Sequence, residues 1–222
     1  MECAIIASDR CWGDMTNGRQ WLQPEAQKKV ERAIVEAEAK TAAEFVVTVR
    51  ASSGSYRAAD LWFSSLLTFV GLMVYIYHPV QFTDDLVPPA LALLFLISTA
   101  FASQVGWLRR LLTSQRVQEE NVRHAALSAF YEQGISVTQG RTGVLVYVSL
   151  LESRAEVVPD IGVHPPDSSK DAANAAATLR NAVREGGVDA LVRGLAELSD
   201  SLGQTLPRAA DDINELSNSV VS

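Results

Sequence analysis

The sequence predicts a three-layer α/β domain with a small mixed sheet, split in two by a transmembrane helical hairpin. Three observations carry this. Residues 61–77 and 87–108 hold no charged side chain, and each stretch is close to the ~20 residues that cross a hydrocarbon core of about 30 Å. Residues 45–49 and 144–150 are short runs of β-branched and apolar residues that read as strands. Around these runs, apolar residues recur at helical spacing.

The chain has 222 residues, room for one domain plus a membrane element. It is 20% charged, yet its mean hydropathy is slightly positive, so the apolar residues are concentrated in a few segments. A net charge of −7 offers no general attraction to phosphates, and no nucleic-acid partner is expected. Cys3 and Cys11 are the only cysteines and read as incidental thiols, neither a disulfide framework nor a metal knuckle. Residues 1–23 lack periodicity, and they lack the charged start, apolar run and cleavage site of a signal peptide. They read as a flexible leader, in which Met1 and Met15 are both candidate starts.

The first helix is expected over 24–40. Val30, Ala33, Ile34 and Ala37 recur at i, i+3, i+4 and i+7, Pro24 suits a first turn, and Glu25 suits a helix N-terminus. The strand 45–49 follows, and then the hairpin, 58–108. Its polar link, 78–85, is short enough to force the two helices antiparallel. Pro88 and Pro89 stand at the start of the second helix, where a missing N–H costs little. Ser64, Ser65, Thr68 and Gly71 are small enough to pack on Ala90, Ala92, Ser98 or Thr99. Trp62 and Trp107 mark one interface, Tyr75 and Tyr77 the other. Arg50, Arg57, Arg109, Arg110 and Arg116 flank the hairpin, whereas the link carries Asp84 and Asp85 and no Lys or Arg. The positive-inside rule then places both soluble flanks in the cytoplasm.

After the hairpin a helix is expected over 112–133, with Val122, Ala125, Ala126, Ala129 and Phe130 on its apolar face and Gly134 as its stop. The strand 144–150 is apolar at nearly every position, which suits a central strand covered on both faces. A second strand, 154–158, follows after three residues and should pair with it antiparallel. The strand 45–49 is separated from 144–150 by a long crossover that permits parallel pairing. Helices are expected over 171–185, over a stripe from Val188 to Leu202, and over 209–220.

No nucleotide-binding, zinc-protease or serine-hydrolase motif occurs, and His78, His124 and His164 are scattered. What remains is carboxylates. Asp160 follows a strand beside a turn at Gly162, Glu152 lies at the strand's other end, and Asp211, Asp212 and Glu215 open the last helix. Hard cations such as Ca²⁺ take several oxygen ligands from loops, which these residues could supply if they converge. The same residues also suit simpler roles, Asp211 and Asp212 as helix caps and Asp160 as a turn closer.

Residues 34–49, with Thr41 and Glu44 preceding an apolar strand, resemble the opening helix and strand of the TPM domain family. Residues 142–163 are similar to its central hairpin, and Asp211-Asp212-Ile-Asn-Glu-Leu216 resembles the acidic end of its bacterial branch. The resemblance spans about 24–220, with the membrane hairpin inserted after the first strand. It implies a Rossmann-like three-layer α/β/α sandwich, membrane association, and acid-phosphatase activity with a divalent metal. By position, Asp160, Asp211, Asp212 and Glu215 match the family's acidic residues. The chain departs from the secreted branch, lacking its aspartate-bearing entry segment.

The expected organisation is thus a leader at 1–23, a discontinuous α/β domain at 24–57 and 109–222, and a hairpin at 58–108. Two functions remain open. One is a non-catalytic module that assembles a membrane complex, its hairpin contacting the lipid bilayer and membrane-protein partners. The other is a weak phosphatase using Ca²⁺ or another divalent cation at the four acidic residues. The expected location is a bacterial inner membrane.

Overall fold

The computed structural model describes Trp21, residues 23–78, 84–163, 170–185 and 187–208, together with Leu216 and Val220. The chain forms two compact units, one spanning Ser55–Gln115 and the other made from the sequence on either side of it.

The larger unit is mixed α/β, mostly helical, around a three-stranded sheet. Helix α1, Pro24–Glu38, carries its proline in the first turn and buries the predicted stripe of Val30, Ala33, Ile34 and Ala37. Strand β1, Glu44–Arg50, follows. Beyond the inserted unit, helix α5, Gln115–Glu132, leads to strands β2, Gly143–Ser149, and β3, Arg154–Pro159. Helices α6, Lys170–Glu185, and α7, Gly187–Leu202, close the unit.

The sheet order is β1-β2-β3. β1 and β2 pair in parallel, Phe45 beside Val144 and Val47 beside Val146, the pairing that the long crossover permits. β2 and β3 pair antiparallel, Val146 opposite Val157. Side chains alternate between the faces. Val46, Leu145, Tyr147 and Val158 pack in one cluster with Val122, Ala126, Ala129 and Phe130 of α5. The alternate row, Phe45, Val47, Val144, Val146 and Val148, is buried as well. All seven residues of β2 are buried, as expected for a central strand. α1 contacts β1, α6 contacts β3, and α7 packs on both helices. Gly194 allows α6 and α7 to approach, because a methyl there would stand 2.7 Å from Leu179 Cγ. Gly134 ends the α5 segment in the left-handed region, φ +67°, the conformation glycine adopts without a Cβ penalty.

The inserted unit holds α2, Arg57–Tyr77, a 3-10 turn at Asp84–Leu86, and α3, Val87–Gln104. Both helices are long and apolar enough to cross a membrane, and 11% of each apolar window is buried. They pack on each other. Their seam is narrower than the small residues predict. Ser64 and Ser98 are buried and Thr99 Oγ1 lies 2.9 Å from Ser64 Oγ, whereas Ser65, Ala90 and Ala92 are exposed. A methyl on Gly71 would meet Leu94 Cδ2 at 2.8 Å. Ser64, Thr68, Ser98 and Thr99 each return a hydroxyl proton to a carbonyl one turn back, so no hydroxyl donor is left over. The uncharged run 87–108 is not one helix. It breaks at Val105, and a short helix α4, Gly106–Leu112, follows with Trp107 in it. Accordingly α5 begins at Gln115 rather than at 112.

Candidate functional site

Asp160 stands where β3 ends. Its N–H donates to Gly143 O at 2.8 Å, carrying the ladder one pair past Pro159. Here the turn entering β2 and the turn leaving β3 interlock. Gly162 N–H donates to Arg141 O at 2.9 Å, and a Cβ on Gly162 would lie 2.2 Å from Gly140 O. Arg141 itself sits at φ +54°, so this turn departs from the usual backbone regions of a bulky residue.

The turn's geometry brings Arg141 onto Asp160. Arg141 Nη2 donates to Oδ1 at 3.0 Å, and Ile161 N–H donates to the same oxygen at 2.8 Å. Arg141 Nε stands 2.9 Å from Oδ2, close enough for Coulombic attraction, yet Oδ2 accepts no hydrogen bond among the described residues. The Asp160 side chain is 3% exposed, that of Arg141 46%. The predicted turn closure through a backbone N–H is present, but the guanidinium is the larger partner. A carboxylate matched in this way already has its charge balanced, and a divalent cation would have to share it with Arg141.

Asp211, Asp212, Glu215 and His164 lie outside the described residues. Leu216 is described, and it packs, partly buried, against the cluster that α5 forms with the sheet. Among the described residues no group of three or more His, Cys, Asp or Glu is placed to hold a metal ion.

The opposite end of the sheet, where the parallel strands β1 and β2 finish, holds a polar cluster of which sequence reading picks out only Glu152 and not its partners Ser53, Tyr147 and Ser149. Glu152 accepts the Ser53 N–H at 2.9 Å and, through its other oxygen, the Ser149 hydroxyl. Ser53 Oγ lies 2.6 Å from Ser149 Oγ and 3.3 Å from the Tyr147 hydroxyl. Burial raises the Tyr147 phenol above its ordinary value. The Ser53 hydrogen bond opposes that shift and the negative charge of Glu152 adds to it. Ligands of open α/β sheets commonly bind beyond the carboxyl ends of parallel strands, but Ser149 is wholly buried and Glu152 is 2% exposed. The cluster is a clamp between the loop after β1 and the loop after β2. Leu150 N–H and Leu151 N–H reinforce it, donating to Arg50 O at 3.0 Å and Ala51 O at 2.9 Å.

In the inserted unit the polar feature is an ion pair. Asp60, in the first turn of α2, is buried, and Arg109 of α4 meets it with two nitrogens.

No family model matches the chain, and no curated protein matches it. Among solved structures, the chain is similar to the BA42 protein from the psychrophilic bacterium Bizionia argentinensis, determined by NMR. The two are 17% identical with a TM-score of 0.54, over 90% of this chain and 93% of that one. At this identity the likeness is one of fold.

Proposed function

We propose that this chain is a membrane-anchored, TPM-like α/β module that docks or helps assemble a membrane complex without catalysing a reaction. The observation that carries the reading is the outer surface of the hairpin. α2 and α3 meet along a thin seam and leave Leu66, Phe69, Val74, Leu93, Leu96 and Phe101 exposed. An apolar surface on this scale is stable in a bilayer or against partner helices. With the hairpin in the bilayer, the flanking arginines favour a cytoplasmic position for both flanks in a bacterial inner membrane. The resemblance adds a Rossmann-like sandwich for the soluble unit, and the parallel pairing of β1 with β2 supports it.

The test is membrane fractionation of the full chain. Retention in the pellet after alkaline carbonate supports integral insertion, and release into the supernatant refutes it. A tag after Ser222 should be labelled only from the cytoplasmic side. A tag in the link at 83–85 should be labelled only from the other.

A second reading, a divalent-metal-dependent phosphatase, draws on the buried Oδ2 of Asp160, which lacks a hydrogen bond among the described residues. In that reading Asp160, Asp211, Asp212 and Glu215 hold Ca²⁺ or another divalent cation, which would polarise a phosphoryl oxygen and activate water. A Mn²⁺ or Ca²⁺ titration followed by thermal melting decides. A rise in the midpoint that disappears in Asp160→Asn favours the phosphatase, and an unmoved wild type removes it.

A further inference from the structure

Helix α4, Gly106–Leu112, begins where α3 has used up its span. The 18 residues of α3 rise about 27 Å, close to the ~30 Å of a hydrocarbon core. The chain then turns extended at Val105. In α4, Leu108 is buried and Arg109 is bound to Asp60, which fixes the side that packs on the hairpin. Trp107, Arg110 and Leu111 stand at i, i+3 and i+4 on the other side. All three are exposed, Trp107 by 53% and Leu111 by 73%.

The Asp60–Arg109 pair sets a common level for α2 and α4. Trp62 lies two residues beyond Asp60 and Trp107 two before Arg109, and both indoles are exposed. At about 1.5 Å per residue, Arg57 stands about 4.5 Å before Asp60 along α2 and Trp62 about 3 Å after it. Leu66 and Phe69 follow, exposed on the same helix. The order is cation, ion pair, indole, hydrocarbon. It is the order of a membrane boundary, where tryptophan sits at headgroup level and arginine reaches past it. The charge is one-sided. Arg109 neutralises Asp60, and Arg57 and Arg110 add two exposed cations at this end. The other end of the hairpin carries Asp84 and Asp85.

We propose that α4 is an interfacial helix that selects anionic lipid. Trp107 and Leu111 enter the headgroup boundary beside the hairpin, and Arg57 and Arg110 take the lipid phosphates. The inference rests on the membrane reading above and adds the class of lipid to it. Zwitterionic lipid would cover the same indoles but bring no net charge to the two cations.

The experiment reconstitutes the full chain in vesicles of phosphatidylcholine mixed with phosphatidylglycerol, one of the two brominated in its acyl chains to quench nearby indoles. Brominated phosphatidylglycerol should quench as though enriched around the protein about fivefold or more over brominated phosphatidylcholine. Trp107→Phe should remove part of the quenched emission. The double variant Arg57→Gln with Arg110→Gln should bring the two lipids close to equality. Both side chains are exposed, so the variant should keep its melting midpoint. Any of four results overturns the inference: equal quenching by the two lipids in the wild type, an unchanged preference in the double variant, quenching indifferent to Trp107→Phe, or a preference that inorganic phosphate abolishes and chloride at equal ionic strength does not. The last would mark a small-anion site. The membrane reading fails separately, if alkaline carbonate strips the chain from the vesicles.

Discussion

Arg109 holds Asp60 through both arms of its guanidinium, Nε 2.9 Å from Oδ1 and Nη2 2.6 Å from Oδ2. The pair fastens α4 to the first turn of α2, where a negative charge also suits the helix N-terminus. Asp60 is 5% exposed, so Arg109→Ala would leave a buried carboxylate without its counter-charge. The expected cost is about 3 kcal/mol, read as a lower unfolding midpoint in detergent. Arg109→Lys should recover part of it, because an ammonium is a point charge without the two-pronged geometry. Replacing both partners with leucine should recover most of it. A neutral Arg109→Ala would mean that the pair contributes nothing to the hairpin.

Tyr147 makes the stability of the larger unit sensitive to alkali. Its phenol is held above the ordinary value of 10.0, by burial first. The neutral phenol is therefore the native form. A folded value above the unfolded one means that the contribution is complete below about pH 10 and is lost as pH rises toward the folded value. The melting midpoint of the wild type should fall more steeply above about pH 10 than that of Tyr147→Phe. Near neutrality the two curves should run parallel. Equal slopes in alkali would show that the phenol ionises as freely in the folded chain as in the unfolded one.

Much of this architecture can be read from local pattern. β2 announces itself as central by being apolar at nearly every position, and Gly134 marks the end of α5. The mixed pairing of the sheet follows from connection lengths, four residues between β2 and β3 and a whole inserted unit between β1 and β2. What cannot be read is any relation that depends on register. Arg141 becomes the partner of Asp160 only because the β2–β3 register sets the two turns side by side. Ser53 meets Glu152 only because β1 and β2 finish together. The break at Val105 is nearly hidden, since within an uncharged run its only local mark is Gly106, and a single glycine is tolerated inside a helix. Beyond it Arg109 reaches Asp60, a contact between residues 49 apart. Size alone does not decide which small residues of the hairpin enter the seam, for a geometric reason. Only one stripe of each helix faces the other, so Ser65, Ala90 and Ala92 turn outward although their size would suit the seam.

The turns around Asp160 give a test that separates folding from metal binding. Arg141→Ala removes the guanidinium and leaves a buried carboxylate held by the Ile161 N–H alone, at a cost of about 1–3 kcal/mol. Asp160→Asn removes the charge and should cost less. Gly162→Ala should cost more than either exposed-turn norms or size suggest, because its methyl would collide with Gly140 O. Thermal melts of the three variants without metal give the ranking. If Arg141→Ala leaves the midpoint unmoved and instead creates a Mn²⁺-dependent rise, Arg141 has been occupying a cation site.

Glu152 should be the most sensitive polar residue of the larger unit. It accepts the part-buried Ser53 N–H and the buried Ser149 hydroxyl, and so ties the loop after β1 to the loop after β2. Glu152→Ala leaves both donors without a buried acceptor and should cost about 2–3 kcal/mol. Ser149→Ala removes one donor and leaves the carboxylate its backbone contact, so about 1 kcal/mol is expected. Because the two side chains share one hydrogen bond, the double variant should cost less than the sum of the singles. Denaturant melts of the four proteins give that coupling directly. Additive losses would mean that Ser149 and Glu152 act apart, and that the backbone bonds of Leu150 and Leu151 alone hold the two loops together.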